Sequence, residues 1–433
     1  MSEKKTIKDP SDVVCLFVDN GLYTHIAKKL AETYKKVYIY TAWPSAFPKM
    51  NLTHVGYGVK GLTVVDSIFG PHFEEIDLFC MPDIYFGDLQ VHLQSLGKAV
   101  WGCRMGEALE LKREGMKEIL TAIDMPVGKF THVVGLANLR AVLKQKQNVF
   151  VKIDRHRGTF ETFRSANYRE VEPKLDELEN TLGPFKKIIE FTVEDEIPDC
   201  IELGTDAWCI TSDEGEAQYP QNLISGIEIK DVGFLSKFTQ FDKLPKELTT
   251  FNDRIKPVLA CYNWRGFFST EVRITSDKLS YMIDFCSRAP SPPSELYASQ
   301  YVNLAECIYF GSLGIVVEPE ARASIGVELM LHSSWADKNF QPIDFPEEIS
   351  EFVKIRNWCV IDGVNYAIPQ SVGLPECGAV IGLGDTIEEA MDHAVENAEQ
   401  VTGYYLEAKT GAIDDINKQL ELMDERGLNY FKD

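Results

Sequence analysis

The chain has 433 residues, with 44 Lys plus Arg against 66 Asp plus Glu, a formal charge of −22 with histidines neutral. Hydrophobic residues make up 45% and charged residues 25%, the make-up of a soluble globular protein, and at roughly 150 residues per domain the length suggests about three domains. The acidity argues against a general nucleic-acid binder, whose affinity comes mainly from neutralising phosphates. It leaves room for a local basic pocket that takes one nucleotide, and for an acceptor carried on DNA or RNA.

The start, MSEKKTIKDPSD, carries positive charge but no apolar stretch of signal-peptide length, and no run approaches the ~18 apolar residues that span a bilayer. Ten cysteines are scattered without a C-x-x-C, and the eight histidines form no H-x-H or H-E-x-x-H. We expect reduced thiols used as small hydrophobes, no zinc site, no membrane association and a cytoplasmic protein.

Residues 12–40 read as strand, turn, helix, strand. VVCLFV is a buried-strand run, Asn20-Gly21 a turn signal, THIAKKLAETY has helical spacing and KVYIYTAW is a second strand. The pattern recurs, with IDLFCMPD a strand, DLQVHLQSLG a helix and KAVWG another strand. This alternation over residues 12–103 predicts an open parallel sheet whose strand C-termini face a crevice. Within it lies Gly56-Tyr57-Gly58-Val59-Lys60-Gly61, a literal G-x-G-x-x-G that neither closes the first strand nor opens a helix. Turn glycines are preferred there over a dinucleotide site.

The segment 104–125, MGEALELKREGMKEILTAIDMP, reads as one charged amphipathic helix ending before Pro126. NVFVKID is a strand followed by the turn RHRGTF. YREVEPKLDELENTLG puts Val171, Leu175, Leu178 and Leu182 on one helical face, closed by Gly183. IIEFTVED, DAWCIT, EVRIT and LSYMIDF are strands, so antiparallel hairpins are expected in the middle of the chain. SPPSE opens a helix, LYASQYVNLAECIYF, which suits a core or a subunit contact equally well and leaves a homodimer open. Residues 331–433 read as short strands followed by one long helix, DTIEEAMDHAVENAEQVTGYYLEA.

Four clusters carry chemistry. In Val151-Lys152-Ile153-Asp154-Arg155-His156-Arg157-Gly158-Thr159, a lysine inside an apolar strand is costly to bury and so reaches toward an anion or a carboxylate. The turn after it could fold over phosphates, or could be a plain basic hairpin. Glu190-Phe191-Thr192-Val193 is a strand passing into a linker, able to offer backbone groups to an adenine edge, with Glu202 further on. Glu271 and Arg273 share one face of a strand that pairs with Tyr281–Arg288; Glu271 and Asp284 suit one or two magnesium ions bridging nucleotide phosphates, or else form cross-strand ion pairs. The rigid Ala289-Pro290-Ser291-Pro292-Pro293-Ser294-Glu295 feeds a helix, its serines able to cap it and hold an anion, or simply stiffens a loop.

In this order the pieces resemble the ATP-grasp superfamily, in particular phosphoribosylamine–glycine ligase and its relatives biotin carboxylase and carbamoyl-phosphate synthetase. The resemblance covers nearly the whole chain. It implies a fold of α/β and α+β class: an N-terminal open parallel-sheet domain (1–103), a central ATP-grasp domain of two subdomains (104–330) and a small C-terminal α+β domain (331–433), where GAVIGLGDTIEEAMDHAVENAEQVTG resembles the family's last domain. Position by position, Lys152 is similar to the lysine that touches the nucleotide's phosphates and Gly158 falls in the glycine loop over them. An earlier family lysine has Ala108 about where it stands in some relatives, and Lys112 is the substitute candidate. Glu190 to Val193 resembles the adenine linker, Glu202 the ribose carboxylate, and Glu271 and Asp284 the metal carboxylates. Cys286 stands where the family has a metal-binding asparagine, a soft atom in place of a hard one.

The resemblance implies ATP and Mg2+, with Mn2+ as a stand-in, and ligation of a small-molecule carboxylate to an amine through an acyl phosphate. Arg273 and Arg288 are the candidates for stabilising charge in phosphoryl transfer, and Arg288 and Arg265 for gripping the acyl phosphate or a substrate carboxylate. Two alternatives remain: a carboxylase or carbamoyl-phosphate-type enzyme of the same fold, and a nucleotide-binding regulator impaired by Cys286. The six cations Lys152, Arg155, Arg157, Arg265, Arg273 and Arg288 are expected around one nucleotide pocket.

Overall fold

A computed structural model describes residues 7–41, 54–154, 162–369 and 375–432. The chain forms two compact units. The first gathers Met1–Gly106, Leu203–Ser269 and Cys286–Asp433; the second gathers Glu107–Glu202 and Thr270–Phe285.

The first unit opens with a parallel sheet of β1 (Val14–Asp19), β2 (Lys36–Thr41), β3 (Leu62–Val64), β4 (Leu78–Cys80) and β5 (Ala99–Trp101), in the order β3-β2-β1-β4-β5. Alternation along β1 explains its unbroken apolar run. Val13, Cys15 and Phe17 join one core with Ile26, Ala27 and Leu30 of α1 (Thr24–Leu30), while Val14, Leu16 and Val18 join another with Leu93 of α2 (Gly87–Ser95). The G-x-G-x-x-G is a turn: Gly56 N–H donates to Trp358 O at 2.7 Å, and Tyr57 O accepts from Val360 N–H at 2.8 Å.

The second unit begins with α3 (Ala108–Leu111) and α4 (Arg113–Ala122). The single helix expected over 104–125 is broken between them, because Lys112 takes φ −119°, ψ 88°, outside the helical region. Then come β6 (Phe130–Val134), α5 (Leu136–Leu143), β7 (Val149–Ile153), β8 (Thr162–Ser165), α6 (Tyr168–Leu182) and β9 (Glu190–Asp195). The strands form an antiparallel sheet in the order β6-β9-β7-β8. Its core takes Val171, Leu175, Leu178 and Leu182 from α6, the face read in the sequence, against Val149, Val151, Ile153, Phe191 and Val193.

The chain continues with β10 (Cys200–Thr211), β11 (Ala217–Gln218), β12 (Asn222–Ile229), β13 (Gly233–Gln240), α7 (Lys246–Cys261), β14 (Arg265–Thr275) and β15 (Ser280–Cys286). It then forms α8 (Ser294–Gln300), α9 (Leu304–Ser312), β16 (Ile325–Ser333), β17 (Gln341–Asp344), β18 (Val353–Ile355), β19 (Trp358–Ile361), β20 (Val364–Ala367) and β21 (Glu376–Gly384). Last come α10 (Ile387–Ala398), β22 (Thr402–Gly403), β23 (Leu406–Ala408) and α11 (Ala412–Glu425). The strand order of the large sheet is β15-β14-β10-β12-β13-β16-β21-β18. A small sheet runs β19-β20-β17-β22.

Two expected helices are shorter than read. The one after SPPSE divides into α8 and α9 because Tyr301 turns extended and bridges to Ala321. The long C-terminal helix stops at Ala398, since Thr402–Gly403 pair with Ile343–Asp344 and Leu406–Ala408 pair with β16. In both places backbone pairing with residues distant in the chain outcompetes local helical propensity.

Candidate functional site

Strand alternation selects the chemistry of the second unit. The odd residues of β7 and β9 enter the core, so Lys152, Thr192 and Glu194 share the opposite face, with Lys152 directly across from Thr192. Helix α4 adds Arg113 and Lys117, four residues apart and so neighbours on one helical face. All three cations are 1–2% exposed. Burial at this depth demands counter-ions.

Two carboxylates supply them. Lys117 pairs with Glu194 at 3.0 Å, and Lys152 stands 3.8 Å from the same carboxylate. Lys152 Nζ also pairs with Asp284 at 3.1 Å and donates to Ile283 O at 2.8 Å. Arg113 pairs with the other oxygen of Asp284. Burial lowers the Lys152 ammonium from its ordinary value, Glu194 and Glu271 resisting while Arg113 and Lys117 assist. Burial also opposes ionisation of Glu194, yet Lys152 and Lys117 hold it below the usual carboxylate range. Asp154, next along β7, is pushed up to about 6 by burial and by Glu190. Thr192 Oγ1 and Asp154 Oδ1 on this unit are buried and have no hydrogen-bond partner among the described residues. Cations held at this depth suit a polyanionic ligand, whose oxygens accept from them.

The other expected residues distribute as follows. Lys112 is exposed, and its neighbour Arg113 is the cation that reaches Asp284. Val193 is buried in the core, and β9 runs to Asp195, so the strand-to-linker junction falls at 196–199 rather than at 190–193. Glu190 lies 4.0 Å from His132. Glu202 pairs with Arg273 at 3.0 Å, and the Arg273 guanidinium sits 5.3 Å from the Phe150 ring centre. Glu271 stands half-buried on β14 within electrostatic reach of Lys152. Gly158, with Arg155 and Arg157, lies outside the described residues.

In the first unit, Arg265 ties the fold together: it donates to Thr211 O at 2.9 Å and Ser312 O at 3.1 Å and pairs with Asp213 at 2.7 Å. Arg288 donates to the Tyr23 hydroxyl at 3.2 Å, and Cys286 Sγ to Arg288 O at 3.6 Å. The serines of the proline-rich loop do not cap α8. Arg356, which carried no expectation, donates to Ser291 Oγ at 2.6 Å and to Glu295 at 2.7 Å, and Ser294 Oγ meets His25 at 3.2 Å. Among the described residues, no group of three or more His, Cys, Asp or Glu side chains is placed to hold a metal ion. No described helix is long and apolar enough to cross a membrane.

The sequence reading missed Arg113, Lys117 and Glu194. Their signals were present: a basic pair at i, i+4 inside an apolar stripe, and Glu190, Thr192 and Glu194 alternating on a strand whose other face is apolar.

No protein-family profile matches the chain, and no curated protein does. Solved structures do. Phosphoribosylamine–glycine ligase from Thermotoga maritima superposes with a TM-score of 0.67 at 16% identity, over 92% of this chain and 99% of its own. The biotin carboxylase domain of Hydrogenobacter thermophilus 2-oxoglutarate carboxylase, a dimer bound to MgADP and bicarbonate, gives 0.64 at 10% identity, over 96% and 98%. An ADP complex of N5-carboxyaminoimidazole ribonucleotide synthetase gives 0.60 at 14%, over 91% and 98%. All three are ATP-grasp enzymes, and the fold of this chain is the ATP-grasp fold. The fold expected from the order of the sequence clusters is therefore met across nearly the full chain.

Proposed function

We propose that the chain is an ATP-dependent carboxylate–amine ligase. The observation that carries this reading is the buried cluster of Arg113, Lys117 and Lys152, held by Glu194 and Asp284 on one face of a four-stranded sheet. Three cations at that depth are donors of the kind a nucleotide's phosphates accept from, and the fold is one whose solved members include ADP complexes. The cofactors of this reading are ATP and Mg2+, with Mn2+ able to replace it.

The chemistry needs positioning and charge neutralisation more than covalent participation. A substrate carboxylate oxygen takes the γ-phosphoryl group of ATP, giving an acyl phosphate and ADP. An amine nitrogen then attacks the carbonyl carbon, the C–N bond forms, the C–O bond to phosphate breaks, and phosphate departs as the amine loses a proton. Lys152, Arg113 and Lys117 hold the phosphates and disperse the charge that develops on them. Arg288 is kept as the candidate for gripping the acyl phosphate or a substrate anion. The hard oxygens of Glu271 and Asp284 fit Mg2+ in chemistry, and would hold it. A metal bound there neutralises phosphate charge.

Glycine with phosphoribosylamine is the first substrate pair to try, and bicarbonate is the arm that tests a carboxylase. ADP release that requires both an acid and an amine is expected. Lys152→Met should lower kcat/KM for ATP by at least about 100-fold. Full turnover in Lys152→Ala and Glu271→Ala variants would overturn the site, and ADP release driven by bicarbonate alone would move the reading to a carboxylase.

A further inference from the structure

Asp284 commits both of its oxygens, one to Arg113 and one to Lys152. Lys152 donates to Ile283 O at 2.8 Å and to Asp284 at 3.1 Å, and Glu194 stands 3.8 Å away as a second negative neighbour. A phosphate that engages both Lys152 and Arg113 comes up against the carboxylate that the two cations share, Asp284. Ile283 O is backbone and fixed. Glu194 is also tied to Lys117, and its side chain is 13% exposed against 24% for Asp284. Asp284 is the partner that yields most readily.

Resting on the nucleotide reading above, we infer that Asp284 and a polyphosphate compete for Arg113 and Lys152, so that a divalent ion gains Asp284 as a ligand only together with the polyphosphate. The physical reason is mutual exclusion. A carboxylate oxygen hydrogen-bonded to a guanidinium or an ammonium has its lone pairs facing a positive charge, and a cation cannot approach from that side. When phosphates take over Arg113 and Lys152, the carboxylate is released beside the phosphate oxygens, where a hard cation can bridge the two. Glu194 meanwhile keeps Lys117 and Lys152 compensated. The site therefore takes a metal–nucleotide complex as one unit and discriminates against the free ion.

The test measures ADP binding by calorimetry in EDTA at pH 8, comparing the full chain with Asp284→Asn. The variant should bind metal-free ADP about tenfold tighter, because the competitor for the two cations has lost its charge. The gain should persist in about 0.5 M KCl, where long-range repulsion between a carboxylate and phosphates is screened but direct competition for a contact is not. As a second variant, Arg113→Met frees one Asp284 oxygen and should raise the affinity for Mn2+ alone about tenfold by water-proton relaxation. Unchanged ADP affinity in Asp284→Asn, a gain that vanishes in salt, or unchanged Mn2+ affinity in Arg113→Met overturns the inference. If the unmodified protein binds no ADP even with Mg2+, the nucleotide reading itself falls. If it does bind MgADP and the variants show none of these changes, only the competition falls.

Discussion

Arg356 offers the sharpest test of what holds the first unit together. Its guanidinium is 5% exposed, bonds Glu295 at 2.7 Å and Ser291 at 2.6 Å, and lies 3.8 Å from Glu376. Glu328 is fully buried on the same face of β16 as Met330, whose sulfur also touches Arg356. Arg356 thus bonds one buried carboxylate, Glu295, and lies within electrostatic reach of the buried Glu328 and the half-buried Glu376. Burial works against ionised Glu295, yet Arg356 and His25 hold it well below the usual carboxylate range. Arg356→Met keeps the apolar stem and deletes the charge. Two charge-assisted bonds at roughly 1.5–3 kcal/mol each give a loss of about 3–6 kcal/mol, overlapping the range of about 3–5 kcal/mol found when one member of a buried ion pair is removed. The sign with pH follows from linkage. A depressed carboxylate contributes stability above its unfolded value, 4.5 here, and loses it as the pH falls toward the folded value. The variant has lost that depression, and its buried carboxyls avoid the penalty by taking up protons. Thermal or urea unfolding should therefore show the largest deficit near pH 8 and a smaller one near pH 5. An equal deficit at both pH values, or one under about 1 kcal/mol at pH 8, would refute the reasoning.

Two further outcomes follow from the same unit. Burial and the neighbouring Glu295 raise the Glu328 carboxyl well above its usual range, so it keeps its proton when folded and loses it when unfolded above about pH 4.5. Stability then falls as pH rises, and Glu328→Gln, which has no proton to lose, should gain on the unmodified protein between pH 5 and pH 8; a constant difference in unfolding free energy would contradict this. Gly58 has φ +70°, and an added Cβ would lie 2.1 Å from Val360 O, whereas Gly363 has φ +81° with nothing within 4 Å. Both Gly→Ala changes carry the left-handed strain of about 1 kcal/mol, but only Gly58→Ala adds an overlap with backbone, so it should cost at least ~2 kcal/mol more in equilibrium unfolding. Equal costs would mean that the turn at Gly58 can shift away from Val360.

Much of the architecture was legible because it depends on short-range pattern. The strand–helix alternation of residues 12–103, the α6 stripe at Val171, Leu175, Leu178 and Leu182, and the β7 and β9 runs all stand where periodicity put them. Helix α7 was equally legible and went unread, with Leu248, Phe251, Ile255 and Leu259 at helical spacing and all buried. Two of the three failures share one cause. Lys112, Tyr301 and Thr402–Gly403 leave helical geometry, and at Tyr301 and Thr402–Gly403 the backbone pairs with residues distant in the chain.

The candidate site divides in the same way. Lys152 could be singled out from the sequence alone, because a lysine flanked by Val151 and Ile153 in a strand needs an anion wherever that strand lies. The acidic sequence also made cations informative: most lie on solvated helices or in surface pairs, and the few buried ones stand out. Sequence could not say which partner each would take. Arg113 and Asp284 are 171 residues apart, Lys152 and Ile283 are 131 apart, and Arg356 reaches back 61 residues to Glu295. Local composition determines that a charge must be compensated, since the cost of burying it depends on the residue and its immediate surroundings. Which carboxylate compensates it depends on distances that exist only after the sheet has formed, and that choice was made by the tertiary structure.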